Sequence, residues 1–150
     1  MRVVIQRVSE ASVSIDGRLK ATIQTGLVVL VAVEDADTTE DADWLAGKTV
    51  RLRVFDDENG SMNRSVGDIG GNILVVSQFT LFASTRKGNR PSYVRSSRPE
   101  TAVPLYDRFI ARLTAELGRP VETGTFGAEM EVRITNDGPV TIIMDSKVRE

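Results

Sequence analysis

Asn72-Ile73-Leu74-Val75-Val76-Ser77-Gln78-Phe79-Thr80-Leu81 begins as an apolar strand and turns polar at its far end. Ile73 to Val76 put apolar side chains on both alternating faces, as in a strand covered on both sides, so the stretch predicts a central strand. Small hydroxyls and an amide at the exit of a rigid strand are held still against whatever lies beyond it. That makes Ser77, Gln78 and Thr80 candidate site residues. The alternative for the same side chains is that they satisfy the hydrogen bonds of a turn.

Upstream, Gly26 opens the continuous apolar run Leu27–Val33, which reads as a second fully covered strand. Residues 2–7 alternate weakly around Val3 and Ile5, and Ser12–Ile15 and Leu19–Ile23 flank Asp16-Gly17, a dipeptide suited to a tight hairpin. A helix is predicted over 39–50, capped by Thr38 or Thr39, with Glu40, Asp41 and Asp43 as a solvated first turn that complements the helix dipole. Arg51–Phe55 reads as a short strand followed by an Asn59-Gly60 hairpin turn, and the carboxylates around that turn lack the ligand spacing of a calcium loop. Gly67–Gly71 precedes a strand instead of joining a strand to a helix, so it reads as a turn and not as a nucleotide-binding loop.

Downstream, Leu105, Phe109, Ile110, Leu113 and Leu117 form the stripe of a second helix over 99–117, ended by Gly118 and Pro120. Met130, Val132 and Ile134 alternate with Glu129, Glu131 and Arg133, as in a strand with one wet face. A turn at Asn136-Asp137-Gly138-Pro139 and a last strand, Val140–Met144, complete the chain. With no internal repeat or linker, residues 1–150 read as one mixed α/β domain in which two main helices cover a sheet.

A chain of 150 residues can bury roughly 68–70% of its unfolded surface, so no covalent or metal staple is needed. Cys and His are both absent. This removes disulfides, thiolate nucleophiles, the usual base of serine and cysteine hydrolases and the commonest metal ligand, so neither metal nor cofactor is expected. The longest apolar run has seven residues, against the ~18–20 that a bilayer span needs. No signal-peptide pattern opens the chain, and the expectation is a cytoplasmic protein away from membranes.

The net charge is -2, but it is unevenly spread. Glu34–Asp43 holds six acids and no base, whereas Ile69–Pro99 holds five bases and no acid. Within the latter, Arg86, Lys87 and Arg90 sit among turn formers, with Tyr93 and Phe82 nearby. Such a patch either holds phosphates beside base-stacking aromatics or is simply a solvated loop. The Gly138-Pro139 pair is a second place of interest, because Gly admits close approach to backbone and Pro fixes its own.

Ser77-Gln78-Phe79-Thr80-Leu81 and Asn136-Asp137-Gly138-Pro139-Val140-Thr141 resemble the SQFTL and NxGPVT signatures of the D-aminoacyl-tRNA deacylases, the D-tyrosyl-tRNA deacylase family. The similarity extends to Met1–Val8, Arg53–Phe55, Met62-Asn63, Lys87–Pro91 and Gly124–Met130. The resemblance implies a three-layer β/β/α fold and a homodimer that hydrolyses the ester between a D-amino acid and the 3′-terminal adenosine of tRNA. It also implies that Gly138-Pro139, with a cis peptide bond, enters the partner's pocket and excludes L-amino acids. Arg7 resembles the arginine that fixes this pair, and Phe126 to Met130 resemble the segment that receives the adenosine. Asn136 belongs to the second motif.

The expected site is therefore Ser77, Gln78, Phe79 and Thr80 for chemistry, with Asn136, Gly138, Pro139, Arg7, Phe126 and Met130 for the substrate and Arg86, Lys87 and Arg90 for tRNA phosphates. Without His, the expected route is assistance by the 2′-hydroxyl of the RNA, with the Phe79 and Thr80 amides stabilising charge and Thr80 in support. A module that binds tRNA ends without chemistry, or a structural dimer, are the competing readings.

Overall fold

A computed structural model describes residues 1–150. At its centre β6 (Asn72–Ser77) lies between β3 (Gly26–Ala32) and β7 (Glu122–Thr123) and runs parallel to both. Leu27, Val29, Val31, Ile73 and Val75 point into one core, and Val28, Leu74 and Val76 into another. The two-faced apolar pattern of both strands therefore corresponds to two buried faces.

The first core is closed by α1 (Thr39–Arg51), through Ala42, Leu45, Ala46 and Val50, and by α2 (Pro99–Leu117), through Ala102, Leu105, Phe109, Leu113 and Leu117. The second core is closed by β-structure. β1 (Arg2–Ile15) pairs its first half with β3 and its second half with β2 (Arg18–Ile23), while β8 (Glu131–Asp145) follows β1 along its other edge. Register shifts near Val8 let this pair bend from one layer into the next. Val8, Ala11, Val13, Ala21 and Ile23 then cover Val28, Leu74 and Val76, with Met130, Val132 and Ile134 packed beside them. The result is a three-layer β/β/α arrangement with mixed strand directions.

The local signals behind these elements are visible in the geometry. Asp16-Gly17 makes the two-residue turn between β1 and β2, with positive φ at both positions. Pro99 opens α2, and Gly118 ends it in the left-handed region. At the start of α1 the Asp41 carboxylate accepts from the Thr38 amide at 2.8 Å and from the Thr38 hydroxyl at 3.0 Å.

Asp41 differs from the expected solvated first turn. It is buried and also takes the Lys147 ammonium at 2.7 Å. Burial pushes its carboxyl up, but hydrogen bonds from Lys147, Ser146 and Thr38 outweigh this and hold it well below the usual carboxylate range.

Three further expectations change. Residues 2–7 and 12–15 are parts of one strand, and so are most of 129–135 and 140–144. The Asn136–Pro139 segment therefore does not reverse the chain. The strand expected at Arg51–Phe55 is displaced, since Arg51 ends α1 and the pairing is between β4 (Phe55–Asp56) and β5 (Met62–Arg64). Their connection is organised by Asp57, whose carboxylate accepts from the amides of Asn59 and Ser61.

Candidate functional site

β3 and β6 are adjacent and parallel, so both release the chain at the same edge of the sheet, where parallel strands commonly bind ligands. The Gln78 amide donates to Val31 O at 2.7 Å and holds the two strand ends together. The chain then tightens into a 3-10 turn, Phe79–Phe82. A cavity of about 150 Å³ opens here, lined by Ser77, Gln78 and Phe79, by Val31–Val33 at the end of β3, by Ala102 and Tyr106 of α2, and by Ser97 and Phe126–Ala128. No carboxylate, lysine or arginine lines it. It suits an uncharged ring system better than a phosphate.

Tyr106 is not among the expected site residues, because it lies inside the predicted helix 99–117 and belongs to neither motif. It is 4% exposed, its ring meets Phe126 edge-on at 5.5 Å, and its hydroxyl is buried with no protein hydrogen-bond partner. Burial, assisted by the Asp107 charge, pushes the phenol up to about 12, so it stays neutral across the physiological range. The available sequence signal was a tyrosine among aliphatic stripe positions, since a buried phenol ordinarily has a partner.

Thr80 follows at the first turn beyond the strand. Its Oγ1 is 2.5 Å from Gln78 Nε2, an amide that donates to it and cannot deprotonate it. The first amides of such a turn have no acceptor within it, which leaves the Phe79 and Thr80 N–H groups free of intrahelical bonds.

The second motif lies elsewhere on the chain. Along β1 and β8, Gln6 pairs with Thr141 and Val8 with Asn136, so Arg7 alone faces the four residues Asp137–Val140, which bulge outward. The Gly138-Pro139 peptide bond is cis, and both residues are exposed. Arg7 is the seat of the bulge. Its Nε donates to Asp137 O at 3.1 Å, its Nη1 donates to Val54 O at 2.7 Å, and the Asp137 and Asp56 carboxylates lie at 3.5 and 3.7 Å.

Gly138 has φ +112, and a Cβ there would overlap Arg7 Nη2. Gly138→Ala is expected to lose about 2–4 kcal/mol, from the backbone conformation and a displaced charged hydrogen bond together. Urea unfolding measures this, and an unchanged unfolding free energy would mean that the bulge is not seated on Arg7.

Of the expected site residues, the cavity gathers Ser77, Gln78, Phe79 and Phe126. It does not include Gly138, Pro139, Asn136 or Arg7 of the same chain. Met130 lies apart as well, packed against the second core and under Gly124. Arg86, Lys87 and Arg90 are exposed on a loop closed by paired hydrogen bonds between Ser84 and Ser92, at 2.8 and 2.9 Å. Phe82 is 1% exposed, beneath the guanidiniums of Arg2 and Arg95, and so is not a surface for stacking.

The model of the D-Tyr-tRNA(Tyr) deacylase family matches residues 4–145. The chain belongs to that family. It is 59% identical to the D-aminoacyl-tRNA deacylase of Flavobacterium johnsoniae and 61% identical to that of Parabacteroides distasonis, in both cases over 100% of each chain. Among solved structures it is similar to the c-Myc DNA unwinding element binding protein, with TM-score 0.89, 39% identity and coverage of 97% of this chain and 98% of the other. A probable eukaryotic D-amino acid tRNA deacylase shares the fold, with TM-score 0.80, 20% identity and coverage of 95% and 97%. The uncharged cavity at the exit of β6 is thus found in a chain of the deacylase family, walled by the first of the two signatures.

Proposed function

We propose that this chain hydrolyses the ester joining a D-amino acid to the 3′-terminal adenosine of tRNA, releasing free amino acid and tRNA. What carries the reading is the uncharged cavity walled by Ser77, Gln78 and Phe79 in a chain of the deacylase family. The adenosine enters against Phe126 and Tyr106, and its ester meets the Phe79 and Thr80 amides, which stabilise the developing oxyanion. The cavity offers no proton acceptor at neutral pH, which agrees with assistance by the substrate's own 2′-hydroxyl. The reading needs neither metal nor cofactor. No helix is long and apolar enough to cross a membrane, and a cytoplasmic location belongs to the same reading.

The working unit in this reading is a homodimer. Gly138 and Pro139 are exposed and do not line their own chain's cavity, which supports a role for them in the cavity of a second copy. Their backbone would occupy the space an L side chain requires and leave room for a D side chain of almost any kind, so selection acts by exclusion. Glycine has no side chain to exclude and should pass.

The test is release of amino acid from matched D-tyrosyl-, L-tyrosyl- and glycyl-tRNA. Expected are fast cleavage of the D ester, measurable cleavage of the glycyl ester at higher enzyme concentration, and an intact L ester. Binding of tRNA without release from any ester would turn the reading into that of a tRNA-end-binding module. Complete resistance of glycyl-tRNA would overturn selection by exclusion.

A further inference from the structure

Phe79 has two environments. Part of it lines the cavity, yet the residue is 57% exposed, and its ring meets that of Tyr93 edge-on at 5.1 Å. Tyr93 is 40% exposed and its neighbour Val94 90%. The pair is held in place by its backbone. Ser96 Oγ donates to Phe79 O at 2.7 Å, the Ser96 amide donates to Tyr93 O at 3.0 Å, and the Ser97 amide donates to Val33 O at 2.9 Å. Two aromatic rings are thus fixed at the surface of the single chain, on the rim of the cavity, where burial would have been the stable choice. Tyr93 also follows directly on the Ser84–Ser92 loop, which presents Arg86, Lys87 and Arg90 with no acid among them.

We propose that the Phe79–Tyr93 pair is a stacking platform for the unpaired nucleotide that precedes the terminal adenosine of the tRNA, with Arg86, Lys87 and Arg90 receiving the phosphates on either side of it. The inference rests on the deacylase reading, which puts the terminal nucleoside in the cavity. A strand leaving that cavity past Phe79 brings its next base onto the exposed rings. Aromatic faces beside a run of unopposed positive charge are what a single-stranded nucleic acid requires, and stacking accepts any base. Charge decides the occupant, because the loop is cationic on a chain whose net charge is -2. A tRNA-independent protein contact gives no reason for three unopposed cations on the loop that leads into Tyr93.

The experiment compares Tyr93→Ala, Tyr93→Phe and the parent on three substrates: D-tyrosyl-tRNA, the same tRNA with an abasic penultimate nucleotide, and the D-tyrosyl ester of adenosine alone. Tyr93→Ala is expected to raise KM for the intact tRNA on the order of 10- to 100-fold. Its kcat should be nearly unchanged, it should have no effect on the abasic tRNA or the adenosine ester, and Tyr93→Phe should retain parental values. Joint replacement of Arg86, Lys87 and Arg90 by Ala should flatten the salt dependence of tRNA binding by about 0.7 in log–log slope for each single-strand phosphate no longer neutralised.

Equal losses on all three substrates, or a change of oligomeric state in Tyr93→Ala, would make the pair a structural or subunit contact and overturn the platform. So would an unchanged KM for intact tRNA. If the parent cleaves none of the substrates, the deacylase reading fails separately. Affinities of parent and Tyr93→Ala for uncharged intact and abasic tRNA then decide the platform, which stands only if the substitution weakens the intact tRNA alone.

Discussion

Replacing Gly26 by Val is expected to destabilise the fold by about 3 kcal/mol or more, at or beyond the upper end of ordinary overpacking. Gly26 opens β3 opposite Asn72, the first residue of its parallel partner β6, and the Asn72 amide donates across to Thr25 O at 3.2 Å. A Cβ at Gly26 would overlap the Asn72 carbonyl, so the obstacle is backbone and cannot rotate away as a side chain would. Relief requires the two strands to part at their common start. Both cores are built on this pair, so neither repacks without disturbing the other.

The functional consequence follows from the same strands, whose far ends carry Val31–Val33 and Ser77 to the cavity wall. Urea unfolding is expected to show the stability loss with kcat/KM falling alongside. A loss below about 1 kcal/mol, the scale of a tolerated core change, would mean that the strands separate at this end without strain.

A tRNA charged with D-tyrosine but ending in 2′-deoxyadenosine is expected to be cleaved slower by about 10²- to 10⁴-fold, the range of a lost general acid–base contribution. The expectation rests on what surrounds the ester in the proposed pose. Thr80 Oγ1 accepts a hydrogen bond from the Gln78 side-chain amide, Ser77 has no basic neighbour in the cavity wall, and Tyr106 stays protonated. A hydroxyl without a base is a poor nucleophile at neutral pH. Thr80→Ala is therefore expected to lower kcat only modestly, by roughly tenfold or less, as removal of one positioning hydrogen bond would. Single-turnover rates with both RNAs and both proteins make the comparison. Undiminished cleavage of the deoxy substrate, with near-complete loss in Thr80→Ala, would make Thr80 the nucleophile.

Much of the fold was legible residue by residue. The doubly apolar runs Leu27–Val33 and Ile73–Val76 specify strands buried on both sides, which requires covering layers above and below. The stripe at Leu105, Phe109, Leu113 and Leu117 and the caps at Pro99 and Gly118 bound α2, and Asp16-Gly17 marks its hairpin. These signals are local, because periodicity and turn chemistry depend on neighbours a few residues away. The absence of His and Cys likewise restricts the chemistry whatever the contacts.

Only the tertiary structure decided that residues 2–7 and 12–15 form one strand passing between layers, and that Gly138-Pro139 is a bulge seated on Arg7 instead of a chain-reversing turn. Strand pairing and bulge position depend on which distant backbone supplies the hydrogen bonds, and no local pattern carries that information. The same holds for side chains whose environment comes from afar. Asp41 is buried by Lys147 and Ser146 from the other end of the chain, Phe82 is covered by Arg2 and Arg95, and Tyr106 meets Phe126 only because α2 and the Phe126–Ala128 segment wall the same cavity. The sequence alone determined the rigid strand that ends in Ser77-Gln78-Phe79-Thr80. The fold determined that this end opens on an uncharged cavity with Gly138 and Pro139 outside it, because burial and pairing are properties of the packed chain and not of the segment.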